Sequence, residues 1–166
     1  MRPEMSPAAV SAVHDCAADA TLGKLHFGEV LRLLGAVGVE SYHADYRDGH
    51  TRYYLPNGET TAVSLDHDHP PIAETFDADA LQEAIRGSQR GEVRYPEFVQ
   101  RSRAAGCVGY VVWIAGRHVT YFGRRGEQHV ERFPAEPLKR RRRRGIVRAG
   151  RDPDRDDPLR RRAEPP

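Results

Sequence analysis

The chain carries its own partial copy. Shifting the sequence by 68 residues lays Phe27–Glu59 on Tyr95–Glu127 without a gap, and eight of the 33 positions are then identical, where chance gives about two. The identities are Glu29/Glu97, Ala36/Ala104, Gly38/Gly106, Tyr42/Tyr110, His50/His118, Tyr53/Tyr121, Gly58/Gly126 and Glu59/Glu127. Phe27/Tyr95, Val30/Phe98 and Tyr54/Phe122 match in shape. Gly38 and Gly106 each follow an apolar-periodic stretch, where a helix ends on a left-handed residue. Gly58-Glu59 and Gly126-Glu127 close hairpins. The paired tyrosines are strand residues that can bury a ring and keep a hydroxyl available. A duplicated chain is constrained to fold as two like halves.

The order of elements agrees with the copy. Ser6-Pro7 reads as an N-cap followed by the first helical residue, opening a helix to about Ala20. A second helix starts near Phe27 and stops near Gly38. Strands follow at Val39–Tyr46, His50–Leu55 and Glu59–Leu65, separated by Asp48-Gly49 and Asn57-Gly58, both strong hairpin signals. Asp77 caps a third helix ending near Gly87, and Pro96 opens a fourth that stops at Gly106. Strands at Cys107–Ala115, Arg117–Gly123 and Glu127–Phe133 complete the second half. The expected class is α+β: internally duplicated α-α-β-β-β halves, at about 7–65 and 77–134, with a mixed or antiparallel sheet and the helices on one face. The halves are expected to pack about an approximate two-fold axis, face against face, with their tyrosine-bearing ribbons buried together.

Charge separates this body from the C-terminal segment. Residues 1–134 hold 14 Lys and Arg against 18 Asp and Glu, whereas residues 135–166 hold 12 against 6. The second segment runs Lys139-Arg140-Arg141-Arg142-Arg143-Arg144 and then alternates Arg, Asp and Pro. Its apolar residues have no period, so it cannot bury enough surface to offset ordering, and a disordered basic tail is expected. Such a tail binds polyanions weakly and without sequence preference. Deleting it should leave the melting temperature of a body of 134 residues unchanged. The longest apolar run, Val108–Ala115, is too short to cross a membrane, so no membrane association is expected. Glu4, His14, Asp15 and Asp19 interrupt any secretory leader. With only Cys16 and Cys107 for thiols, a cytoplasmic location is expected.

The same residues resemble the YbcV-like family of bacterial and prophage proteins, which often carry the label "phage envelope protein". The similarity runs through Asp48-Gly49-His50-Thr51, Gly91-Glu92-Val93-Arg94-Tyr95-Pro96-Glu97-Phe98, Ala105-Gly106-Cys107-Val108-Gly109-Tyr110 and Thr120-Tyr121-Phe122-Gly123. It covers about residues 8–134. The resemblance implies a compact domain and no established activity; the basic tail departs from the family pattern.

Among candidate chemistry, His50 and His118 come first. Each begins the middle strand of its half, and the inferred symmetry could bring them to one locus, where an imidazole serves as acid, base or hydrogen-bond partner. The plainer role is to cap a hairpin. Strand alternation puts Arg52 and Tyr54 on the histidine side and Tyr53 and Tyr121 on the other. A pocket lined by Arg52, Tyr54 and the histidines, with Asp48 beside them, would suit a small polar or anionic ligand. Asp66, His67, Asp68 and His69 alternate like metal ligands, with His67 and His69 the candidates, but further ligands are unmarked and a solvated loop is the expected state. Cys107 opens an apolar strand and reads as a small buried hydrophobe. No cofactor motif occurs. The functional expectation is a binding or accessory domain for a small molecule or a protein partner. The alternatives are a small histidine acid/base enzyme and a prophage-derived interaction protein.

Overall fold

The computed structural model describes residues 5–65 and 69–134. The expectations placed on Asp66, His67, Asp68 and the tail at 135–166 fall outside them. Four helices span Pro7–Thr21 (α1), Phe27–Ala36 (α2), Ala78–Gln89 (α3) and Tyr95–Ala104 (α4). Six strands span Ser41–Asp45 (β1), His50–Tyr54 (β2), Thr60–Ser64 (β3), Cys107–Trp113 (β4), His118–Gly123 (β5) and Gln128–Arg132 (β6). The class is α+β.

Local chemistry accounts for the boundaries. Ser6 Oγ accepts from the Ala9 amide, and Pro7 occupies the first turn of α1, where its missing N–H costs nothing. His26 and Glu29 cap α2 reciprocally, the imidazole accepting from the Glu29 amide and the carboxylate from the His26 amide. Asp77 Oδ1 accepts from the Ala80 amide to open α3. That helix continues past Gly87 to Gln89. Gly87 serves packing instead of termination: it is buried, and a Cβ there would meet Val93 Cγ2 at 2.6 Å. The left-handed residue after α3 is Gly91, with φ 74°.

Every strand pairing is antiparallel, and the order is β3-β2-β1-β4-β5-β6. Each half contributes a three-stranded meander. The two meanders join through β1 and β4, with Ser41 opposite Trp113 and Asp45 opposite Gly109. The expected face-to-face docking is therefore replaced by docking edge to edge. Joining the free edges of β1 and β4 satisfies backbone groups that face packing would have left open. Gly109 permits the close approach, since a Cβ there would run into the Ala44 carbonyl oxygen.

Positive-φ residues also recur at the 68-residue spacing: Gly23 with Gly91, Gly38 with Gly106, Gly49 with Arg117, and Gly58 with Gly126.

Side chains alternate across the sheet. One face carries Tyr42, Ala44, Tyr53, Tyr110, Val112, Val119 and Tyr121, all buried, and lies against the helices. The opposite face carries His43, Arg52, Tyr54, Trp113, Thr120 and Phe122, which are partly or fully exposed. Leu34, Leu81, Val13 and Val99 supply the helix side of the core. No described helix is long and apolar enough to cross a membrane.

Candidate functional site

A cavity of about 100 Å³ lies between the helices and the buried face of the sheet. Its floor is phenolic. Tyr42 and Tyr53 come from the first half, Tyr110 and Tyr121 from the second, and Tyr95 reaches in from the first turn of α4. The rings form a continuous set, with centroids 5.3 Å apart for Tyr42–Tyr53, 6.5 Å for Tyr42–Tyr110 and 5.6 Å for Tyr110–Tyr121. The Tyr95 hydroxyl is in hydrogen-bonding contact with those of Tyr110 and Thr51. Helix residues Cys16, Ala20, Val30 and Phe98 make the apolar roof. His26, Arg94, Glu131 and Arg132 also line the cavity.

Burial governs the chemistry of this floor. It raises the tyrosine pKa values above the ordinary value, well above it for Tyr42 and Tyr110. For Tyr95, hydrogen bonds to Tyr110 and Thr51 partly oppose that rise. The phenols are thus neutral and can donate hydrogen bonds in a low-dielectric space. Cys16 is 4% exposed and its thiol is raised by burial and by Asp19. At the second-half side of the sheet, His129 Nε2 and Glu131 Oε2 lie 3.2 Å apart, both largely buried, and the His129 ring centroid is 6.3 Å from that of Tyr121.

The residues singled out from the sequence stand elsewhere. His50 and His118 share the open face of the sheet, but antiparallel pairing of the two halves sends them to opposite ends. His50 is level with Asp45 and Gly109, whereas His118 is opposite Trp113. Three strand spacings and four residues separate them, about 14 Å across and about 13 Å along. The fold does not assemble a shared histidine locus. Each Nδ1 instead lies near the carbonyl oxygen two residues back, at 3.0 Å from Asp48 and 3.1 Å from Gly116. Asp48 Oδ2 is 3.3 Å from His50 Nδ1 on an exposed turn. Arg52 and Tyr54 do share the histidine face, as alternation requires, yet the cavity lies behind them on the tyrosine side.

His67 lies outside the described residues. His69 Nδ1 is buried without a hydrogen-bond partner among the described residues, and no three His, Cys, Asp or Glu side chains there converge as metal ligands. Cys107 is fully buried, its Sγ donates to the Gly109 carbonyl, and burial pushes the thiol up to about 11.

Sequence reasoning missed Tyr95, His129 and Glu131. In β6 the usual pattern inverts: Val130 faces out, 51% exposed, while His129 and Glu131 face in. The 68-residue spacing held the clue, because it places Glu131 on Val63, an inward position of β3.

Comparison with known proteins gives kinship without chemistry. Over 60 residues the chain is 37% identical to uncharacterised proteins of Mycobacterium bovis and of two strains of Mycobacterium tuberculosis. That match spans 36% of this chain and 37% of each relative, little more than a third of their length. A family model described as a protein of unknown function, DUF1398, matches residues 17–131, from the last third of α1 to the penultimate residue of β6. That span takes in nearly the whole sheet, α2, α3, α4 and the last third of α1, and on that ground the chain belongs to the DUF1398 family.

Proposed function

We propose that this domain binds a small, largely apolar molecule bearing hydrogen-bond acceptors in the cavity between helices and sheet. The observation that carries the reading is the floor of tyrosines contributed by both halves and turned inward. Protein interiors pack to the density of organic crystals. A cavity of about 100 Å³ exceeds what one water needs. Neutral phenols around it offer donors to a carbonyl, ether or carboxylate oxygen, while Val30, Phe98 and Ala20 accept the apolar body. This ligand differs from the polar or anionic one expected near Arg52, because the cavity lies on the opposite face.

The test uses the full chain and the amphipathic dye 8-anilinonaphthalene-1-sulfonate. Native protein should enhance its emission at a stoichiometry of one, with near-ultraviolet ellipticity intact. Ala20→Phe, which fills the space from α1, should abolish the enhancement while keeping that ellipticity. Emission unchanged in the folded variant would place the dye elsewhere and remove the reading.

A further inference from the structure

We infer that the open face of the sheet is a stacking platform for single-stranded nucleic acid. This site is separate from the cavity, since the two use opposite faces of the same strands. Among the described residues no helix packs on this face, and its residues form cross-strand rows. One row places Tyr54, Ser41, Trp113 and His118 side by side on β2, β1, β4 and β5. The next places Arg52, His43, Val111 and Thr120 together.

Trp113 is the anchor. It is the chain's one tryptophan, and it is 40% exposed. Its Nε1 donates to Thr120 Oγ1 at 3.3 Å, and its ring lies 6.2 Å from that of His118 at an interplanar angle of 31°. A large apolar ring held in place yet left in solvent has already lost the freedom that stacking would remove. Nucleic-acid bases stack on such rings without regard to sequence. Tyr54 and Phe122 stand partly exposed on the same face, on β2 and β5.

Charge selects the partner. Arg52 is exposed at the centre of β2, with no salt bridge among the described residues. The carboxylate in these strands on this face is Asp45, whose Oδ1 already accepts from the Arg47 and Asp48 amides. An aromatic row beside an exposed arginine fits phosphates joined to exposed bases better than it fits a duplex, whose bases are already stacked on one another.

The lone tryptophan makes the test specific. Titrating the full chain with a 12-nucleotide oligothymidylate should quench Trp113 emission by about half, and a blunt duplex of equal length should quench far less. Arg52→Glu, and the milder Arg52→Gln, should weaken the quenching titration about tenfold or about threefold with the basic tail still present. Three results would overturn the inference. In the first, labelled oligothymidylate gains anisotropy while Trp113 emission stays constant, which assigns binding to the tail. In the second, neither Arg52 variant shifts the titration. In the third, the wavelength of the Trp113 emission maximum shifts with protein concentration and ignores the oligonucleotide, which assigns the face to a second copy of this chain.

Discussion

The two halves of the body follow the same order of elements and differ in what surrounds them. Gly38 and Gly106 end α2 and α4 with φ of 86° and 82°. A Cβ on Gly38 would meet only Leu55 Cδ2, at 3.6 Å. A Cβ on Gly106 would run into the Thr75 carbonyl, because the segment from His69 to Phe76 lies against the second half. Arg103 donates to the Pro70 carbonyl, and Arg124 to those of Ile72 and Ala73. The matching positions in the first half are Gly35 and Pro56, which carry no such donors. Polar groups differ as well: Thr51 corresponds to Val119, and Val63 to Glu131. Element order and the positive-φ positions are thus common to both halves, while the linker clasp and the cavity's polar groups belong to one half or the other.

Alkali should produce the largest effect. Six tyrosines, three from each half, have folded pKa values raised by burial above the ordinary 10. The unfolded chain releases these protons first as pH rises. The stabilisation they bring is therefore fully present below pH 10 and is lost as pH climbs through the folded values, at up to about 1.4 kcal/mol per pH unit for each tyrosine. Urea unfolding at pH values on either side of 10 should show one steep, cooperative loss. Two separate transitions would mean that the halves melt independently.

Glycine substitution comes next. Gly106→Ala should cost roughly 3–5 kcal/mol, combining left-handed strain with a clash against backbone that cannot retreat. Gly38→Ala should cost about 1 kcal/mol, from strain alone. Equal losses in denaturant unfolding would show that the clasp around Gly106 yields easily. Tyr95→Phe gives the smallest effect, about 1–2 kcal/mol, by leaving the Tyr110 and Thr51 hydroxyls without their shared partner. Combined with Thr51→Val, which restores the valine of the matching position, the loss should be less than additive, as a double-mutant cycle would measure.

Much of this plan was legible in the amino-acid sequence. Ser6, Asp77 and Pro96 mark helix starts through backbone chemistry that acts within a few residues, and the structure places them there. Alternation in β2 and β5 correctly separated His50 and His118 from Tyr53 and Tyr121. The pairing of β1 with β4 was not legible, because it depends on which free edges meet, and with it went the expected meeting of the histidines. The cavity escaped for a related reason. Alternation says which residues share a face, but covering one face with helices is a tertiary outcome, and the histidines that mark candidate chemistry in the sequence stand on the uncovered one. Glu131 stayed hidden because a carboxylate in a strand is ordinarily assigned to solvent.

The strand order leaves β3 and β6 at the two margins of the sheet. Among the described residues neither has a partner strand on its outer side, and they are unequally guarded. In β6, Glu131 and Arg132 oppose recruitment of another chain, whereas Thr60-Thr61-Ala62-Val63-Ser64 offers no charge at all. Strand addition from a neighbouring polypeptide, and with it fibrillar growth under destabilising conditions, therefore has its easiest starting line along β3.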